Sequence, residues 1–203
     1  MNNFIISFSI FFFLSLLLKK IWVSALSEKS YMVIAFFGII VHELSHLIFC
    51  LIFRAKVEKA KLFSAKGGYV TCGKPKIPLG RFFIGFAPIL GGIAVLFFLF
   101  NIFNLEFNLG QIADWKFWVF LILSSSILSY IAPSKADLKA SFLGLIFVIL
   151  IFFILNYFKI SLPDSLYQKS YQLFLMMIKI EILSIILGLF FLFVKFLKRL
   201  SHI

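Results

Sequence analysis

His42, Glu43 and His46 are the residues whose types and spacing point most directly to chemistry. They read His42-Glu43-Leu44-Ser45-His46, an H-E-x-x-H pattern inside an apolar run from Tyr31 to Phe53. Side chains four apart on a helix lie on one face, one turn above the other. Two imidazoles so placed can hold one metal ion, with the glutamate beside them to move protons. Only three histidines occur in 203 residues, and two of them are in this pattern. Ionisable groups in such an apolar run are costly unless they have partners, so the cluster marks a functional site. The rival readings are two core histidines that align by accident and a metal site that is structural or inactive.

Two imidazoles do not complete a catalytic zinc site, which takes three protein ligands and keeps a position for water. His202 lies in the basic tail, out of reach. Asp114, Asp137, Asp164 and the glutamates remain. Asp137 leads, because it falls between two apolar segments on the side to which charge bias assigns the loop after the motif. It also has a local reading, since Ser134-x-x-Asp137 has the form of a capping box. Both readings can hold, with Ser134 capping while Asp137 points inward. Asp164, in Leu162-Pro163-Asp164-Ser165, is the runner-up and reads more readily as a turn residue. Asp114 reads as a helix start, and Glu181, close to Lys179, as a snorkelling or paired acid. Cys50 follows His46 by four residues, but continuation of the helix carries it past the site. One zinc ion on His42, His46 and Asp137 would acidify its bound water and polarise a carbonyl. Glu43 would take the water proton and return it to a leaving amine. Two imidazoles and a carboxylate suit zinc.

The elements that must position these groups follow from composition. The chain is 63% hydrophobic with 30 phenylalanines, and its mean hydropathy is +1.10. That predicts an all-α polytopic membrane protein, residues 1–203 forming a single membrane-embedded domain. About six transmembrane helices are expected, near 4–18 (extendable towards 25), 31–53, 82–103, 115–131, 138–158 and 173–197. A cleaved signal is the rival for the first, but its lysines follow the apolar run instead of preceding it. The formal charge of +12 suits loops facing anionic head groups better than nucleic acid. Cys50 and Cys72 cannot make a disulfide framework and are expected to be reduced.

The loop 54–81 carries Arg54, Lys56, Lys59, Lys61, Lys66, Lys74, Lys76 and Arg81 against one acid, Glu58. The positive-inside bias makes it cytoplasmic, and alternation then puts both termini inside, in the cytoplasmic membrane. Lys19, Lys20 and Lys29 fall on the outer side and disagree. Within the loop, Gly67-Gly68 can turn the chain and Tyr69-Val70-Thr71 favours an extended strand, so a short β-hairpin at the surface is expected after the second helix. A basic loop resting on lipid is the alternative. Serines 124, 125, 126 and 129, with Ala87, Gly91 and Gly92, mark close helix packing. One strain remains: His42 is about eleven residues, roughly 16 Å, from the inner end of its helix. Asp137 must be drawn into the bilayer, or the second helix must leave it early; Pro133 is compatible with a broken helix there.

Placed in a transmembrane helix, the motif resembles that of the site-2 protease family of intramembrane zinc metalloproteases. His42, Glu43 and His46 match its first motif, and Gly68-Tyr69-Val70 is similar to the glycine-containing strand that follows it. The resemblance covers about residues 31–140, the expected catalytic core. The aspartate here is followed by Leu138-Lys139 in place of the family's usual D-G, and Ala87-Pro88 is only an echo of its G-P-x-x-N element. The resemblance implies a divergent, minimal intramembrane zinc metalloendopeptidase acting on membrane-anchored protein or peptide substrates. It implies Glu43 as the proton carrier, a third ligand from a later membrane segment, and Gly68, Tyr69 and Val70 edging the substrate path. The alternatives are a non-proteolytic metal-binding membrane protein (a sensor, a carrier or an inactive relative) and a structural partner in a larger membrane complex. Glu43 favours the enzyme, since holding a metal does not require a base there.

Overall fold

The structure is a computed structural model that describes residues 2–64, 67–77, 79–103, 113–132, 134, 136, 137, 139, 142, 146, 150, 154, 157 and 164–200. Among these the chain forms α1 (Asn2–Ala25), α2 (Glu28–Ile52), a hairpin of β1 (Val57–Lys61) and β2 (Tyr69–Cys72), α3 (Gly80–Phe103), α4 (Trp115–Tyr130) and α5 (Asp164–Leu200). The described positions between 136 and 157 are helical as well. Most of the fifth expected span, Pro133, the connections around 104–112 and 158–163, and His202 lie outside the described residues.

α2 begins at Ser27, whose side chain accepts a hydrogen bond from the Ser30 N–H, satisfying one of the donors a helix start leaves open. It ends where Arg54 takes a positive φ of 52°. Its buried stripe runs Tyr31, Ala35, Ile39, His46 and Cys50, with His42 half-buried in the same line. The motif therefore faces other helices and not lipid, as its spacing predicts.

α4 is the pillar of the bundle. Phe117, Phe120, Leu121 and Ser124 to Ser129 are all buried, while Trp115, Trp118 and Ile122 form an exposed stripe along its first half, so its C-terminal half is the enclosed part. Its serines let neighbours come close: Ser126 Oγ accepts from the Gly38 N–H at 2.8 Å. A Cβ on Gly38 would lie 2.0 Å from the Ser126 carbonyl oxygen, so only glycine permits this approach.

Among the described residues, three helices are long and apolar enough to cross a membrane: Lys29–Ile52, Gly80–Phe103 and Tyr171–Lys198. These match the second, third and last of the six expected spans; the first and fourth fall on α1 and α4, and most of the fifth lies outside the described residues. α4 has 16 residues, about 24 Å at 1.5 Å per residue, short of the roughly 30 Å hydrocarbon core. α1 carries Lys19 and Lys20 within its length. The packing of α1 on α5 is also parallel. Phe11 meets Phe174, Ser15 meets Glu181, Trp22 bonds Ser184 and Lys195 bonds the Ser24 carbonyl, so both chains advance together. Six alternating crossings would set the first and last helices antiparallel, with both termini on one side.

The hairpin pairs Val57 with Cys72 and Lys61 with Tyr69, antiparallel. β2 lies where Tyr69-Val70-Thr71 predicts a strand; β1 had no comparable signal. The cysteine expectation is corrected: Cys50 and Cys72 form a disulfide, Cα to Cα 6.4 Å. The hairpin folds back over the end of α2 and brings two residues 22 apart in sequence within bridging distance.

Candidate metal centre

Four segments build the site. α2 supplies His42, Glu43 and His46; the helical segment that begins after α4 supplies Asp137; the ends of α3 and α4 and the strand β2 support them. His42 Nε2 lies 3.8 Å from Asp137 Oδ2, and His46 Nε2 lies 3.4 Å from Asp137 Oδ1. One donor atom from each of the three residues falls within 4.8 Å of the others. Two ligands of a tetrahedral zinc at about 2.0–2.1 Å stand about 3.4 Å apart. Donor set and spacing therefore fit a single ion of that kind.

The other nitrogen of each imidazole is held by main chain. His42 Nδ1 lies 2.7 Å from the Tyr130 carbonyl oxygen, and His46 Nδ1 lies 2.8 Å from that of Ile84. A carbonyl only accepts, so each Nδ1 carries a proton and each Nε2 is the nitrogen turned towards Asp137. This is the usual outer support of a metal-binding histidine. The two rings stand edge to face at 4.9 Å between centroids.

Asp137 carries both roles read for it. The Ser134 N–H donates to Asp137 Oδ2 at 2.8 Å, and the Asp137 N–H donates to Ser134 Oγ at 3.2 Å, a reciprocal capping box. The same carboxylate faces both histidines. α4 ends level with His42, whose Nδ1 meets the Tyr130 carbonyl, so the segment that follows brings Asp137 to both histidines.

Glu43 is buried beside the cluster. It interacts electrostatically with His46 and Asp137 and accepts a hydrogen bond from the main chain of Val70. Gly68 packs against it: a Cβ there would lie 2.4 Å from Glu43 Cγ and 2.6 Å from the Leu62 carbonyl oxygen. Gly68 and Val70 thus touch the acid directly, while Tyr69 between them is exposed. β2 is anchored to α2 twice, by this contact and by the disulfide. Beside the cluster is a cavity of about 240 Å³ lined by Cys72, Gly73 and Pro75, by Arg81, Ile84 and Gly85 of α3, and by Asp137.

The other acids stand apart. Asp114 caps α4, its side chain accepting from the Lys116 N–H at 3.0 Å. Asp164 opens α5, and its side chain is not among those described. Glu181 is fully buried and contacts Ser15, so it is paired and does not snorkel. Sequence reasoning missed Ile84 and Tyr130, because they act through carbonyls and side-chain identity carries no sign of that. Comparison with protein-family models, with curated proteins and with solved structures gives no match.

Proposed function

We propose that the protein is a multi-pass, zinc-dependent intramembrane metalloendopeptidase acting on membrane-anchored proteins or peptides. One observation carries the reading: two Nε2 atoms and one carboxylate converge within 4.8 Å, and a general base is the next residue along the same helix. His42, His46 and Asp137 would hold the ion. Zinc, when bound, makes water more acidic and polarises a carbonyl. Holding a metal for structure or transport would need the three ligands and not Glu43.

The chain's own residues provide the rest. Glu43 takes a proton from the attacking water as oxygen bonds to the peptide carbonyl carbon. When the carbon–nitrogen bond breaks, Glu43 returns that proton to the departing amine. The Val70 N–H holds the carboxylate in place for both transfers. Among the described residues β2 pairs with β1 on one side only, leaving an edge to which an unwound substrate segment can add as a further strand. The cavity beside Asp137 gives water an approach from the basic hairpin's side, the face that charge bias assigns to the cytoplasm. The similarity of the motif to that of site-2 proteases supports the same reading.

The deciding experiment is metal analysis of purified protein alongside cleavage of a transmembrane model peptide. The wild type is expected to hold one zinc, and Glu43→Gln to keep it while cleavage falls by about 10²–10⁴-fold. Unchanged cleavage in Glu43→Gln removes Glu43 from the mechanism, and full zinc occupancy in the His42→Ala/His46→Ala double variant removes the site.

A further inference from the structure

Each histidine is oriented by a helix carbonyl that has no intrahelical partner. Inside a helix, the carbonyl of residue i accepts from the N–H of residue i+4. For Ile84 that donor belongs to position 88, which is a proline inside α3. Proline has no N–H, so the regular partner of the Ile84 carbonyl is missing, and the His46 Nδ1–H fills the place at 2.8 Å. Tyr130 is the last residue of α4, and the last four carbonyls of a helix have no intrahelical donor; the Tyr130 carbonyl takes the His42 Nδ1–H at 2.7 Å. A proline inside one helix and the end of another thus leave one acceptor for each imidazole.

We propose that Pro88 is a positioning residue for the metal centre: by withholding an N–H from Ile84 it reserves that carbonyl for His46 and fixes which imidazole nitrogen faces Asp137. An amide at position 88 would compete for the Ile84 oxygen. His46 would then lose its partner or share it, and its Nε2 could carry the proton and cease to be a donor to metal. Pro88 is buried in α3 between Ala87 and Ile89, one turn after Ile84. The influence proposed for it runs through the Ile84 carbonyl and its bond to His46. The importance of this arrangement rests on the proposed metal site, whereas the tautomer it dictates does not.

The test uses the full chain in detergent micelles and separates the missing N–H from the proline ring. Pro88→Ala restores the N–H. Replacing Pro88 by the α-hydroxy analogue of alanine, an ester link in place of the amide, removes the ring and restores no N–H. Zinc affinity is read by competition with a chromophoric chelator. Pro88→Ala is expected to bind about 10–100-fold more weakly, the usual effect of losing a ligand's outer hydrogen bond, and the ester variant to match the wild type. Equal weakening in both variants, or in neither, overturns the proposal. ¹⁵N-histidine spectra of the metal-free wild type provide a readout independent of metal and of the variants' folding. They are expected to show His46 with its proton on Nδ1, and a dominant Nε2–H form overturns the proposal. A protein that binds no zinc but shows the Nδ1–H form defeats the proposed function and leaves this inference standing.

Discussion

Asp137 and Glu181 are both acids lodged among apolar helices, and they are held in different ways. Asp137 faces two imidazole Nε2 atoms at 3.4 and 3.8 Å and accepts a main-chain hydrogen bond on one oxygen. Glu181 is 0% exposed. Its Oε1 meets the Ser15 hydroxyl, and its Oε2 has no hydrogen-bond partner among the described residues. Around Asp137, two imidazole nitrogens converge on a shared space. Around Glu181 there is one hydroxyl, and nearby Trp22 bonds Ser184 at 3.1 Å. The second arrangement is that of polar groups joining two packed apolar helices. Burial of an acid does not by itself mark a candidate metal site; the convergence of several possible ligand atoms does.

The sharpest way to break this contrast is to neutralise each acid at constant size. Asp137→Asn replaces a carboxylate ligand with a weaker amide oxygen. Zinc affinity should fall by more than the about 10–100-fold that follows loss of a supporting hydrogen bond. Glu181→Gln should leave affinity and stoichiometry unchanged. Chelator competition on both variants decides the matter, and a loss of zinc in Glu181→Gln would make the α1–α5 interface part of the metal centre.

The sequence carried one side of the contrast better than the other. The histidine pair, its face on α2, the extended Tyr69-Val70-Thr71 stretch and the packing serines of α4 were legible, since each is a local pattern with a fixed period or composition. Asp137 was legible as a candidate because few acids exist and charge bias assigned them to sides. Its depth was not, because that depends on where α4 stops relative to α2. The Cys50–Cys72 bridge was misread: sequence spacing does not say that β2 folds back on α2. The parallel packing of α1 and α5 was equally hidden, because alternation assumes that every apolar segment crosses. Carbonyl partners were invisible in principle, although a proline four residues after a carbonyl is a usable sign of a freed acceptor.

The bridge offers a second, smaller test. It ties the strand that contacts Glu43 to the helix that carries the motif, and among the described residues nothing covalent joins α1 to α5. Cys72→Ser should lower stability by about 2–4 kcal/mol, the usual contribution of a disulfide, as read by denaturant unfolding in detergent. Zinc affinity should hold, because the three ligands do not depend on β2. A loss of metal in Cys72→Ser would show that the hairpin helps build the centre and does not merely cover it.

The smallest effect is expected on the α1–α5 side, and its pattern matters more than its size. Ser15→Ala removes the hydroxyl facing Glu181 and leaves that carboxyl buried with neither oxygen satisfied. Interhelical hydrogen bonds in membranes contribute about 0.6 kcal/mol on average, because the unfolded chain in lipid also finds partners. A fully buried acid with one hydroxyl partner should lie above that average, near about 1 kcal/mol. Removing both groups together, in Ser15→Ala/Glu181→Leu, should recover most of the loss, since an apolar pair leaves nothing unsatisfied. Zinc affinity should stay level throughout the series. A loss that deepens in the double variant would mean that Glu181 does more than join helices, and the contrast with Asp137 would then fail on the Glu181 side.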